Sequence, residues 1–148
     1  MSASEDLLVF LRGPRALARR RLAASAREIR QTVAGGRGFV CLVTDDRELR
    51  RLNRQFLGHD EPTDVLSFPE PGPDGFLGEM AISVDRARDQ ARARGHSLDD
   101  EVRILMLHGL LHLLGMDHAA DRGRMARAEK RWRKKLGLPS GLIERARA

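Results

Sequence analysis

Residues 104–118 of the 148-residue chain read ILMLHGLLHLLGMDH, and this apolar segment decides the fold. Its apolar residues occupy nearly every position around a helix, so such a helix belongs in the buried centre of a domain. Ser97, with Asp100 three residues later, supplies a capping signal for the start of the helix. We therefore predict a long buried helix that carries His108 and His112.

Three of the five histidines lie in this segment, at His108, His112 and His118. The first two are four residues apart, so both imidazoles project from one face of the helix. Gly115 can end the helix in a left-handed conformation, which lets the next residues fold back toward that face. Three imidazoles without a fourth protein ligand are typical of a catalytic zinc that keeps one position open for water. We predict one Zn2+ per chain on these residues; the alternative is three hydrogen-bonded core histidines.

The same histidine spacing occurs in the metzincin proteases, whose motif is His-Glu-x-x-His-x-x-Gly-x-x-His. Gly109 stands where those enzymes have the glutamate that acts as general base, and a glycine cannot take that role. A metalloprotease is therefore the less favoured alternative. Zinc itself lowers the pKa of a coordinated water to about 7, so phosphodiester hydrolysis depends less on such a base.

The composition indicates one domain, residues 1–148, with an anionic partner. The length is close to that of a typical single domain. The net charge is +6 and the sequence pI is about 10.8. Nearly all the cations are arginines, whose planar guanidinium matches phosphate. Arginine runs also form ordinary solvated helix faces, so charge alone leaves nucleic-acid binding open. The oligomeric state is not indicated.

The sequence favours a cytoplasmic protein without a membrane partner. No apolar stretch reaches the roughly 20 residues that span a bilayer. Residues 1–6 are polar and acidic, unlike a secretory signal. Cys41 is the only cysteine, which excludes an intramolecular disulfide. Its apolar neighbours indicate a buried strand residue rather than a metal ligand.

The remaining pattern predicts an α+β fold, with a roughly four-stranded mixed sheet packed by about five helices. We expect strands over residues 7–12, 39–43, 64–68 and 79–84. The predicted helices start at Pro14, Asp45, Asp85, Ser97 and Asp121, and residues 138–148 form a frayed tail.

Two finer expectations concern individual side chains. In the helix that starts at Asp45, the spacing of Leu49, Leu52 and Phe56 places them on one face. His96, between Gly95 and the next helix, is expected to be exposed and without a catalytic role.

Beyond the histidines, the chain resembles the YbeY family of bacterial endoribonucleases. The resemblance rests on residues 108–118, on residues 60–69 (DEPTDVLSFP) and on residues 77–79 (LGE), and it covers roughly residues 40–130. It implies a zinc-dependent endonuclease that cleaves single-stranded RNA in the maturation of the 16S ribosomal RNA 3′ end and in ribosome quality control. The implied partner is ribosomal RNA, in association with the ribosome, and not DNA.

The chain departs from the family pattern at Leu57. The family usually has an arginine there, in a Tyr-Arg-x-x-Asp-x-Pro-Thr context that is implied to be important for activity, whereas this chain reads FLGHDEPT over residues 56–63. The nearest substitutes are Arg54, three residues earlier on the same helix face, and His59; we take Arg54 as the catalytic candidate. Asp117 is a second candidate because it can orient an imidazole by a hydrogen bond, or it is an ordinary turn aspartate.

The departure at Leu57 also keeps open a function of another class. In this alternative the protein is a non-catalytic RNA- or ribosome-binding factor whose zinc is structural. A site with three protein ligands argues against it, because structural zinc usually has four.

Overall fold

The structure is a computed structural model that describes residues 8–10, 19–117 and 121–139. Within these ranges, five α-helices and four strands follow one another. They are β1 (Leu8–Phe10), α1 (Arg19–Ala34), β2 (Val40–Thr44), α2 (Asp46–Leu57), β3 (Val65–Pro69), β4 (Gly78–Ser83), α3 (Val84–Arg94), α4 (Leu98–Leu113) and α5 (Arg124–Leu136). A short 3-10 turn, Pro73–Gly75, lies between β3 and β4. The predicted α+β class with five helices is confirmed.

The strands form one mixed sheet in the order β1-β2-β4-β3. Three strands of five or six residues make up its body, and the three-residue β1 adds an edge. β2 runs parallel to both β1 and β4, whereas β3 is antiparallel to β4. The strand β3 is therefore the second edge of the sheet, with a paired neighbour on one side only.

The helix α4 lies at the centre of the domain, as predicted. It contacts α1, α3, α5 and the strands β3 and β4. Most of its side chains are buried, from Val102 to Leu113, because neighbours surround it on nearly all sides. Apolar as it is, neither this helix nor another in the described ranges has the length and hydropathy of a membrane span.

Local capping signals set the ends of the helices that carry the site. The Ser97 hydroxyl accepts a hydrogen bond from the Asp100 amide at 3.1 Å and begins α4. At the other end Gly115 is left-handed, with φ of 93°. Its amide donates to the His112 carbonyl, and the Met116 amide donates to the Leu111 carbonyl, which is a Schellman motif. The predicted end of the helix at a left-handed Gly115 is confirmed.

The helix α2 covers the opposite face of the sheet. Leu49 is buried against Leu66 and Ala81, as expected for an inner face. Phe56, expected on that face, is 57% exposed. It lies in the last turn of α2, where the ring of Phe68 meets it edge-on at 5.6 Å between centroids. Phe68 belongs to the edge strand β3, and the Phe56 ring remains largely exposed beside it.

His96 is buried rather than exposed, so that expectation is wrong. The side chain is 4% exposed, and its Nδ1 lies 3.1 Å from Oε1 of Glu101, a fully buried carboxylate. The Arg94 guanidinium contacts the other carboxylate oxygen at 3.3 Å. The left-handed turn at Gly95 folds these side chains under the first turn of α4, where a buried carboxylate needs polar partners.

Leu138, the first residue of the predicted tail, packs against the domain at the end of α5. Leu138 is buried, and its amide donates to the Arg133 carbonyl at 2.8 Å across the left-handed Gly137. This interaction is a second helix-ending turn of the kind seen after α4. The rest of the predicted tail, residues 140–148, lies outside the described residues.

Candidate metal centre

Two of the three predicted metal ligands converge at the C-terminal end of α4. The Nε2 atoms of His108 and His112 lie 3.2 Å apart, and the rings meet at 73° with centroids 4.8 Å apart. Two nitrogens at 2.0–2.1 Å from a tetrahedral zinc would be about 3.3–3.4 Å apart. The pair therefore has the spacing of two ligands on one zinc ion.

The third predicted ligand, His118, lies outside the described residues. Within the ranges that the structure does describe, no three of the His, Cys, Asp and Glu side chains are grouped to hold a metal. The left-handed Gly115 turns the chain back just before His118. The three-histidine site stays a prediction, with two of its members placed together.

A carboxylate that sequence reasoning missed orients the first histidine. Oε1 of Glu129, on α5, lies 2.8 Å from Nδ1 of His108. Its other oxygen accepts a hydrogen bond from Arg133 at 2.9 Å, and both side chains are largely buried. A hydrogen bond from Nδ1 to a carboxylate leaves the lone pair of the neutral ring on Nε2, the atom that faces His112. Glu129 is the single acidic residue of α5, RMARAEKRWRKKL, which was the available signal.

Gly109 lets α4 approach the sheet closely enough to place the histidines beside β3. A Cβ atom there would lie 2.8 Å from the sulfur of Met80, 3.2 Å from a Val65 methyl and 3.3 Å from the Ser67 hydroxyl oxygen. The Ser67 hydroxyl also donates to the Gly109 carbonyl at 3.0 Å. Helix and edge strand are thus in direct contact between the two histidines.

The histidines open onto a groove of about 440 Å³ along the edge strand. The Asp64 carboxylate at one end is held by Gln90 of α3 at 3.1 Å. The residues that line this groove, called the histidine groove below, are Thr63, Asp64, Val65, Leu66, Ser67, Pro69, His108 and His112. The side chains there combine hydroxyl, carboxylate and imidazole groups beside a short apolar wall.

The other two predicted catalytic residues lie at the margins. Asp117 is exposed and follows the Gly115 turn, immediately before His118, so its orienting role stays a prediction. Arg54 is exposed on α2 and does not line the histidine groove. Leu57, one turn further along α2, is half exposed.

Arg54 instead lines a second pocket of about 360 Å³, called the arginine pocket below. Its lining residues are Arg47, Arg50, Arg51, Arg54 and Asp60. Arg50 binds both oxygens of Asp60, at 2.8 and 3.3 Å. This hydrogen-bonded guanidinium, with Arg54 close by, lowers the pKa of the Asp60 carboxyl. The carboxylate therefore stays ionised as the single acidic group in the lining.

Comparison with known proteins gives a consistent result over most of the chain. A family model described as "Endoribonuclease YbeY" matches residues 15–137. The chain is similar to the endoribonuclease YbeY of Solibacter usitatus, with 56% identity over the full length of both chains. It is also similar to that of Thermus thermophilus, with 50% identity over 74% of this chain and 83% of the relative. A Thermotoga maritima protein solved in solution superposes with a TM-score of 0.61 at 26% identity, covering 87% of this chain and 88% of the other.

Proposed function

The chain belongs to the YbeY family of endoribonucleases, and we propose that it is a zinc-dependent endoribonuclease acting on single-stranded ribosomal RNA. The single observation that carries the zinc assignment is the 3.2 Å approach of the His108 and His112 Nε2 atoms beside a groove. The family resemblance supports a role in 16S ribosomal RNA 3′-end maturation and in ribosome quality control, in the cytoplasm.

The residues present fit a zinc ion. His108 and His112 would hold it through Nε2, with His118 as the third ligand. The imidazole donor set suits Zn2+, and three protein ligands leave one position for water or substrate. When bound, zinc supplies Lewis-acid polarisation of a phosphate oxygen and lowers the pKa of a coordinated water.

The surrounding side chains keep the ligands in the form that binds metal. The Glu129 carboxylate accepts a hydrogen bond from the protonated Nδ1 of His108 and so fixes the tautomer of the ring. Arg133 donates a hydrogen bond to Glu129 and holds that carboxylate in place. The chain Arg133–Glu129–His108 thus links α5 to the metal position.

The protein offers an RNA substrate two kinds of binding surface. The histidine groove admits a phosphodiester beside the two imidazoles. Exposed arginines of α1 and α5 provide positive charge around the domain, among them Arg27, Arg124 and Arg131. Such contacts bind the phosphate backbone and carry little sequence information.

The structure also bears on the metalloprotease alternative. The close contacts of Gly109 with Met80, Val65 and Ser67 leave no room for a glutamate at that position. The protease general base therefore has neither a side chain nor space at its expected place. Leu57 favours the remaining alternative, a non-catalytic RNA-binding factor with structural zinc, because the arginine of the family pattern is absent.

One experiment tests the proposal. Protein purified without added metal is analysed for zinc and incubated with single-stranded and with fully duplex RNA, beside His112→Ala. We expect about one zinc per chain, cleavage of the single strand only, and loss of both zinc and cleavage in the variant. Zinc-replete protein that leaves RNA intact would favour the binding-factor alternative, and protein without zinc would remove the metal assignment. Circular dichroism of the variant shows whether it is folded.

A further inference from the structure

Four arginines of α2 concentrate positive charge in the arginine pocket. Arg47, Arg50, Arg51 and Arg54 follow the spacing i, i+3, i+4 and i+7, so they share one helix face. Like charges at these spacings repel one another and destabilise a helix. A stripe of this kind is more favourable when an anion lies on it.

The described side chains neutralise only part of this stripe. Arg50 is bound by Asp60. Arg51 is bound by both oxygens of Glu48 and by Gln55. The guanidiniums of Arg47 and Arg54 make no hydrogen bond or ion pair with a described side chain, yet both line the pocket. Two guanidiniums without a hydrogen-bonded partner among the described side chains therefore line the same pocket.

The arginine pocket is also close to the histidine groove along the chain. Asp60 lines the former and Thr63 lines the latter. Three residues span at most about 11 Å even when fully extended. Since α2 and α4 pack on opposite faces of the sheet, an extended RNA strand that passes around the edge strand β3 can reach both places.

We propose that the arginine pocket is a subsite for backbone phosphates of single-stranded RNA whose cleaved bond lies in the histidine groove. The inference rests on the proposed function for the identity of the RNA. Arginine is suited to the task because its planar fork makes paired hydrogen bonds to phosphate oxygens. The lining holds guanidinium and carboxylate groups and no aromatic ring, so the subsite positions the strand without reading its bases.

Asp60 has a defined place in this subsite. Its carboxylate occupies the fork of Arg50, where it competes with an incoming phosphate. Removing that charge frees a third guanidinium. Variants of the arginines and of Asp60 should therefore change RNA affinity in opposite directions.

The test measures binding of a fluorescent 2′-O-methyl oligouridine by anisotropy over a range of salt concentrations, with strand integrity checked on a gel. Arg47→Ala combined with Arg54→Ala should raise the Kd by about tenfold and reduce the slope of log K against log salt by about 1.4, the expectation for two lost contacts to a single strand. Asp60→Asn should lower the Kd. The matched control is Arg88→Ala with Arg92→Ala on α3, which removes the same charge and should leave both quantities near the wild-type values.

Competition experiments distinguish binding of an RNA strand from binding of free phosphate. Inorganic phosphate should displace the oligonucleotide only at high concentration, whereas an unlabelled RNA strand competes at low concentration. Equal effects of the α2 and α3 variants on RNA binding would overturn the subsite. The subsite would also be overturned if Arg47→Ala with Arg54→Ala weakened the binding of labelled polyglutamate, an acidic polypeptide, and left RNA binding intact. Because binding is measured without cleavage, a protein that binds RNA here but does not cleave it would contradict the proposed function and leave the subsite standing.

Discussion

Nδ1 of His108 lies 2.8 Å from Oε1 of Glu129, although the two residues are 21 positions apart and on different helices. The contact links α5 to the His108 ring, and so to the proposed metal centre. A carboxylate in this place fixes the tautomer of a ligand histidine and raises the basicity of the ring.

Replacing that carboxylate should weaken metal binding without removing a ligand. Glu129→Gln keeps the shape of the side chain but loses the charge, so we expect zinc affinity to fall by about 10–100-fold. Competition with a chromogenic zinc chelator measures this directly. Glu28→Gln, on the exposed face of α1, is the control and should keep the wild-type affinity. Equal affinities in the two variants would show that Glu129 does not support the site.

For Gly109→Ala, the direction of the stability change distinguishes the helix preference for alanine from the contacts of α4 with the sheet. In an ordinary helix, replacing glycine by alanine stabilises the protein by about 0.5–1 kcal/mol. Here the new Cβ would meet Met80, Val65 and Ser67 at 2.8–3.3 Å. We expect Gly109→Ala to lower the free energy of unfolding by about 1–3 kcal/mol, measured by urea denaturation.

A second substitution checks the cause. Met80→Ala removes the sulfur that the new Cβ would strike, so the double variant should lose less stability than the two single effects added together. An increase in stability for Gly109→Ala alone would mean that helix and sheet are not in close contact at this point.

The sequence predicted those features that depend on a few neighbouring residues. The Ser97 cap and the Gly115 turn are formed by hydrogen bonds that span at most five residues, so residue identities are enough to place them. The apolar run of α4 likewise predicted its own burial, because such a helix has no polar face to expose. The two converging histidines followed from their spacing on that helix.

The parts that failed or were missed depend on contacts between distant elements. Glu129 reaches His108 only because α5 packs on α4, and no local pattern encodes that approach. Phe56 shares a helix face with the buried Leu49, but how far its ring is covered depends on β3, whose Phe68 meets it on one side. His96 is buried because Glu101 is buried beside it, which a sequence shows only as two polar residues five positions apart.

Cys41 gives a pH dependence of stability. Burial strongly raises the pKa of this fully buried thiol above its usual value near 9, so the native state keeps it protonated. Above about pH 8.5 the unfolded chain ionises the thiol and the native state does not, so stability falls as pH rises by up to about 1.4 kcal/mol per pH unit. Below that pH the contribution is fully present.

The comparison of wild type with Cys41→Ala isolates the contribution of the Cys41 thiol to the pH dependence of stability. Urea denaturation at pH 8, 9 and 10 should show the stability difference between the two proteins shrinking with pH, since alanine has no proton to lose. A constant difference across this range would indicate that the thiol ionises in the native state as well. Native protein should also resist thiol reagents, because the reactive form is the thiolate.

Leu57 is the position where this chain and its family pattern differ. The side chain is half exposed and lies one helical turn after Arg54, so an arginine there fits at little cost in stability. A preorganised donor to a reacting oxygen is typically worth about 10²–10³ in rate. We expect Leu57→Arg to raise RNA cleavage toward that range while the zinc content per chain stays unchanged.

Further variants of Leu57 and Arg54 identify which group assists cleavage in the absence of the family arginine. Leu57→Met keeps an apolar side chain and should leave the rate unchanged, whereas Leu57→Lys supplies charge without the planar fork and should gain less than arginine. Arg54→Ala should lower wild-type cleavage if Arg54 is the substitute, and should matter less once Leu57→Arg is present. A fast wild type in which all these variants are silent would mean that phosphate activation depends on the metal and not on a cation of α2.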